Sequence, residues 1–224
     1  DEPRFVDKGQ VTTDTFANPK AQILEINSKT GLYPLYVAYS LYRARRKEYA
    51  VDYEITLDTE RDIWKATVEQ NVFIICKTPM AKQITKRTLV GFDNIKINAH
   101  YFDDLVNQMK NKPQQFIDRV LKTSYWKKEG GGRMKFDAVV GNPPYQEETG
   151  GAGRQAKPIY NYFVEQAKKL NPTYISMITP SRWFSGGMGL DDFRDNMILD
   201  NQLIKLKDYT NAKDCFPQIS ISGG

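Results

Sequence analysis

An amide, two prolines and a phenol stand together at Asn142-Pro143-Pro144-Tyr145, directly after Gly141 and the apolar run Phe136-Asp137-Ala138-Val139-Val140. Each proline fixes its own φ and removes a backbone donor. The residue before a proline is pushed out of the α region. A strand followed by this turn therefore presents Asn142 and Tyr145 in one fixed geometry. A carboxamide both donates and accepts, so it can bind a planar amino-substituted ring. A tyrosine beside it can stack on that ring. Ligands of open α/β sheets bind at the carboxyl ends of the strands, which is where this turn would lie. Taken alone, the stretch also fits a proline-stiffened turn with no ligand.

Other chemistries have little support. The chain has 224 residues, two cysteines far apart (Cys76 and Cys215) and one histidine, His100. That leaves no zinc spacing and no Ser-His-Asp or Cys-His pattern, and it favours reduced thiols. The longest apolar runs, such as Val72 to Cys76, are too short to span a membrane, and no signal-peptide pattern opens the chain. With 40% hydrophobic and 26% charged residues, the composition is that of a globular protein. A cytoplasmic protein is expected. The absence of an initiator Met and the end at Ser222-Gly223-Gly224 suggest a piece of a longer protein.

The net charge of +5 permits nucleic-acid binding. From Lys110 to Lys135 there are eight basic residues against two acidic ones, with Tyr125 and Trp126 among them. A solvated helix face explains such a run as well as a polyanion does. The two aromatic residues favour a polyanion that carries bases.

The elements that must position the turn are read from periodicity. Strands are expected over 21–27, 71–76, 94–98, 136–141, 173–179 and 203–207. Helices are expected over 33–47, 60–70, 79–89, 101–109, 113–123, 158–170 and 191–199, and 146–155 reads as a glycine-bearing mobile loop. Pro79 suits the first residue of its helix. The near-continuous apolar strand at 71–76 implies cover on both faces. The alternation predicts an α/β fold, a doubly wound, mostly parallel Rossmann-like sheet with helices on both faces. One catalytic domain over 1–224 is expected.

The first strand runs into Glu25-Ile26-Asn27-Ser28-Lys29-Thr30-Gly31 and then a helix. A first β–α turn of this kind commonly cradles a cofactor. Gly31 would allow close backbone approach. Glu25 would place a carboxylate for a cationic amine or sulfonium. Neither GxGxxG nor GxxxxGK[ST] is present, so dinucleotide and P-loop phosphate binding have little support.

With these blocks in place, the chain resembles the S-adenosyl-L-methionine (SAM)-dependent amino-methyltransferases, specifically the Eco57I-type adenine-N6 DNA methylases of restriction–modification systems. The resemblance runs over nearly the whole chain. Gly9-Gln10-Val11-Thr12-Thr13 resembles the segment that caps the methionine end of SAM. Leu24 to Gly31 falls at the LDPAxGSG-like SAM motif, and Gly141 to Tyr145 at the catalytic motif. Pro158-Ile159-Tyr160, Ile178-Thr179-Pro180-Ser181-Arg182-Trp183-Phe184, Asp208-Tyr209-Thr210-Asn211 and Cys215-Phe216-Pro217 resemble later blocks.

The resemblance implies SAM as cosubstrate, held by Thr12, Glu25, Asn27, Ser28, Lys29, Thr30, Gly31 and Asn142. It implies catalysis by Asn142, Pro143, Pro144 and Tyr145 on an adenine flipped out of double-stranded DNA. It is compatible with a nuclease or helicase fused in the parent protein. It also implies a separate target-recognition domain and a second aromatic wall, both beyond this chain, and the piece alone is not expected to turn over. Two positions depart from the pattern. Lys29 stands at the usual first glycine. Cys76-Lys77-Thr78-Pro79 follows the second strand, where the family carries an acid for the ribose hydroxyls. The same turn would serve amino-methylases of RNA or of release-factor glutamine. A SAM-deficient DNA-binding scaffold is the reading from a different class. Substrate comparison and SAM titration separate these.

Overall fold

The computed structural model describes residues 15, 18–147, 156–211 and 213. The strands are β1 (Ile23–Ser28), β2 (Val72–Cys76), β3 (Asn98–Tyr101), β4 (Ala138–Gly141) and β5 (Tyr174–Met177). They form one parallel sheet in the order β3-β2-β1-β4-β5. The predicted doubly wound α/β architecture is therefore present.

The order follows from the connections. Helices α1 (Leu32–Tyr49), α2 (Leu57–Asn71) and α3 (Pro79–Val90) carry the chain from β1 through β2 to β3. They cover one face, where Val37, Ala38, Leu41 and Val68 pack on Ile23, Val72 and Ile74. Helices α4 (Leu105–Asn111) and α5 (Pro113–Val120), then a short turn at Thr123–Trp126, return the chain past β1 to β4. With α6 (Tyr160–Lys169) they bury the other face on Leu24, Ile26, Phe73 and Val139. The winding reverses between β1 and β4, so the carboxyl ends of these two strands flank the switch point.

All six residues of β1 and all five of β2 are buried, as strands covered on both faces require. Phe73, Trp126 and Phe136 meet edge to face, with ring centroids 5.2 to 6.3 Å apart. Polar locks fix the strand entrances. Asn71 donates to the carbonyls of Pro19 and Ala21, and the Asp137 carboxylate accepts from the Gln22 amide. Thr78 caps α3, and Pro79 is its first residue as expected.

Three predicted elements are corrected. The third strand begins at Asn98, where the 94–98 reading had it end. The Asn98 amide donates to the carbonyls of Glu69 and Val72 and thereby sets the entry into the sheet. The following helix starts at Leu105, because Asp104 accepts from the Asn107 amide and caps it there. Residues 203–207 form no strand. β5 is the edge of the sheet, and Leu203, Ile204 and Leu206 are exposed. Alternating apolar residues make a strand only where one side can be buried. A final helix, α7 (Asp191–Ile198), packs Phe193 on Tyr160 and Trp183.

Candidate cosubstrate and catalytic site

The Asn-Pro-Pro-Tyr turn leaves β4 at the switch point. Gly141 pairs with Ile26 of β1 on one side and Met177 of β5 on the other. A Cβ at Gly141 would lie 2.8 Å from the Ile26 carbonyl oxygen and 3.0 Å from Met177 Sδ, so glycine alone fits. The Gly141 carbonyl accepts from the Ile178 amide at 3.1 Å. Pro143 is buried, while Asn142, Pro144 and Tyr145 are partly exposed.

The end of β1 is shaped to meet this turn. Its pairing with β2 slips between Ile26 and Ser28, and Asn27 adopts φ 75°, a left-handed conformation that asparagine tolerates. The Asn27 side-chain amide then donates to the Asn142 main-chain carbonyl at 2.8 Å. The two candidate segments, 115 residues apart in sequence, are hydrogen-bonded to each other.

Gly31 (φ 78°) has a different use from the one expected. A Cβ there would lie 2.8 Å from Thr85 Cα, so the space glycine spares is taken by α3. Thr88 Oγ1 donates to the Thr30 carbonyl at 2.7 Å, and the Ser28 and Thr85 hydroxyls are 3.3 Å apart. These contacts pin the turn on α3, with Ser28 and Gly31 buried and Lys29 and Thr30 exposed. Thr85 and Thr88 were not singled out in the sequence. Their signal was the pair of hydroxyls one helical turn apart on α3.

Glu25 is 3% exposed, and its Oε2 has no hydrogen-bond partner. Burial pushes its carboxyl up to about 8, against the opposing pull of the Ser28 hydroxyl and the Lys29 ammonium. A buried acceptor without a donor calls for a cation or a hydrogen-bonding ligand. The Lys29 ammonium is held below its ordinary value by burial and by neighbouring Lys77, with Glu25 working the other way. Lys77 follows β2, its amide donating to the Ser28 carbonyl at 2.9 Å. The Cys76 thiol is buried and pushed up to about 12 by desolvation, which removes it from thiolate chemistry.

Of the two aromatic residues of the basic run, Trp126 belongs to the core, which corrects its reading as support for a base-carrying polyanion, while Tyr125 is half-buried. Trp126 is 3% exposed and donates from Nε1 to the Val120 carbonyl at 2.7 Å. Tyr125 stacks on His100 with centroids 4.0 Å apart. Burial, then Lys82, holds the His100 imidazole below its ordinary value. Arg119 and Lys122 line an open groove of about 460 Å³ with Gln115, Asp118, Ser124 and Tyr125. Trp183 is packed with Tyr160 and Phe193, and Arg182 is exposed. Asp208, Tyr209, Thr210 and Asn211 are exposed. Thr12, with the rest of its block, lies outside the described residues, as do Cys215, Phe216, Pro217 and most of the 146–155 loop. Among the described residues no three His, Cys, Asp or Glu side chains cluster as a metal site, and no helix is long and apolar enough to cross a membrane.

The amide turn and the buried, partly unpartnered Glu25 carboxyl thus stand at the switch point of a parallel sheet, the place where ligands of open α/β sheets bind. The chain belongs to the Eco57I restriction-modification methylase family, whose model matches residues 70–216. The match takes in the Asn-Pro-Pro-Tyr turn and leaves the turn after β1 outside. An uncharacterized adenine-specific methylase of Mycoplasma pneumoniae is 38% identical over 96 residues, which are 42% of this chain and 23% of that protein. The chain thus spans about a quarter of the length of that curated relative. The M protein of the type I restriction enzyme EcoKI is similar over 82% of this chain and 35% of its own, with 12% identity and a TM-score of 0.44.

Proposed function

We propose that this chain is the catalytic part of a restriction–modification enzyme that methylates adenine N6 in DNA with SAM. The observation that carries the reading is the Asn27–Asn142 hydrogen bond. It joins the turn after β1 to the Asn-Pro-Pro-Tyr turn at the switch point, and transfer between two bound molecules needs their holding segments side by side.

The residues present fit SAM at its methionine end. The unpartnered oxygen of Glu25 suits a cationic amine, and Lys29 suits a carboxylate. Asn27, Ser28, Thr30, Gly31 and Asn142 are proposed to contact it from the two joined turns, and Thr12 to cap it. The ribose end fits less well, since Lys77 stands where an acid would accept from the hydroxyls. Bound there, SAM supplies an electrophilic methyl group on a sulfonium.

The chain's own groups prepare the acceptor. An exocyclic amine is a poor nucleophile because its lone pair is delocalised into the ring. Asn142 Oδ1 and the Pro143 carbonyl oxygen each accept one N6–H, which draws the nitrogen towards sp³ character and aims its lone pair. Pro144 stiffens the turn. Tyr145 stacks on the base, a contact worth about 1–3 kcal/mol. The base must leave the duplex to reach them. No strong base is required, because positioning and electrostatics provide the rate.

The test is a methyl-transfer assay with labelled SAM on the full-length protein, offered DNA, RNA and a release-factor protein. Label at adenine N6 of DNA is expected. Label on RNA or on glutamine alone would move the reading to the other amino-methylases. No SAM binding at millimolar concentration would leave a DNA-binding scaffold.

A further inference from the structure

The catalytic turn is fastened at both ends, by different means. Upstream it continues β4, where the sheet ladder and the Asn27 amide hold Gly141 and Asn142. Downstream, among the described residues, no strand continues it. The Tyr145 carbonyl accepts from the Ile159 amide at 3.2 Å, and the Glu147 amide donates to the Lys157 carbonyl at 2.9 Å. Gln146 and Pro158 form an antiparallel bridge. These bonds tie the outgoing chain to the returning chain.

A side-chain contact carries the tie to a third element. Lys110 Nζ donates to Glu147 Oε1 at 2.6 Å. Lys110 lies in the last turn of α4, the helix launched from the carboxyl end of β3. Its ammonium also stands 5.8 Å from the ring centre of Tyr162 on α6, and that ring packs against the main core. Lys110 thus bridges a carboxylate two residues past Tyr145 and an aromatic face on the rigid body.

We propose that the Lys110–Glu147 pair is a positioning device that sets the downstream end of the catalytic turn, and with it the placement of Tyr145 and Asn142 against the acceptor amine. The inference rests on the methyl-transfer reading above. Neither residue touches the reacting atoms. The pair is a third exposed (34% and 35%), so its weight in global stability is small and its effect is local. Near-attack geometry is steep in distance, so a small drift of the turn costs rate before it costs binding.

The test uses the full-length protein with Lys110→Glu, Glu147→Lys and the double swap. The single variants are expected to lose about tenfold in single-turnover methyl transfer, with SAM affinity changed less than about twofold. Their unfolding midpoints should match the parent. The double swap should recover the rate to within about threefold of the parent, which loss of packing alone would not do. Amide hydrogen exchange at Ile159 and at residue 147, the two amides that donate across the tie, gives a second reading that needs no turnover. It should quicken about tenfold in the single variants and return in the swap. Single variants with parental rate and parental exchange, or a swap as poor as the singles, would overturn the proposal. A parent protein that transfers no methyl group to any acceptor would count against the methyl-transfer reading, and the exchange data would still decide the pair.

Discussion

Glu25 and Lys77 carry the electrostatics of the proposed cosubstrate site. The Glu25 carboxyl is raised from 4.5 to about 8 by burial, so the folded chain holds a proton that the unfolded chain releases between those values. Stability must therefore fall as pH rises through that window. His100 is lowered in the fold, so below about 6.5 it slopes the opposite way. Above about 6.5 Glu25 dominates this pair. From pH 6.5 to 8 the protein should lose up to about 1.4 kcal/mol per pH unit relative to its Glu25→Gln variant. Denaturant titrations of both at three pH values check this, and parallel curves would contradict it. Lys77 is tested differently. An ammonium donates but cannot accept from ribose hydroxyls, and it presses on Lys29. Lys77→Asp should tighten SAM binding about two- to tenfold, read by calorimetry. Weaker binding would show that Lys77 contributes to the ribose contact.

At the scale of elements, the Asn-Pro-Pro-Tyr turn depends on β1, β4 and the aromatic cluster below them. Phe136 is fully buried against Phe73 and Trp126 just before β4. Phe136→Ala should cost about 3–5 kcal/mol in urea unfolding, because a cavity would open where no other side chain reaches. A cost under about 1 kcal/mol would mean that the cluster collapses to fill the space. The same elements explain what the sequence could disclose. β2 and the start of α3 were legible because a near-continuous apolar run and a helix-starting proline are local signals. Asn98 and Asp104 shifted their elements because their side chains bond to groups that periodicity does not register. The 203–207 stretch had the alternation of a strand but no surface to bury it. Trp126 looked available for bases within a basic run, yet its ring fills the core and its N–H is taken.

Across the whole molecule, the winding of the sheet brings the two chemical segments together. Each was visible in sequence: the Asn-Pro-Pro-Tyr turn by its rigidity, the Glu25–Gly31 turn by its place after the first strand. Their contact was not, because Asn27 reaches Asn142 only through a left-handed residue and a slip in strand pairing. The central claim is that Asn142 prepares the acceptor amine while the turn after β1 holds the cosubstrate. It is tested most directly by Asn142→Ala in the full-length protein, with SAM binding by calorimetry and methyl transfer to DNA measured on the same sample. Binding within about threefold of the parent, with transfer reduced at least about 100-fold, is the predicted result. Transfer at close to the parental rate would contradict the account.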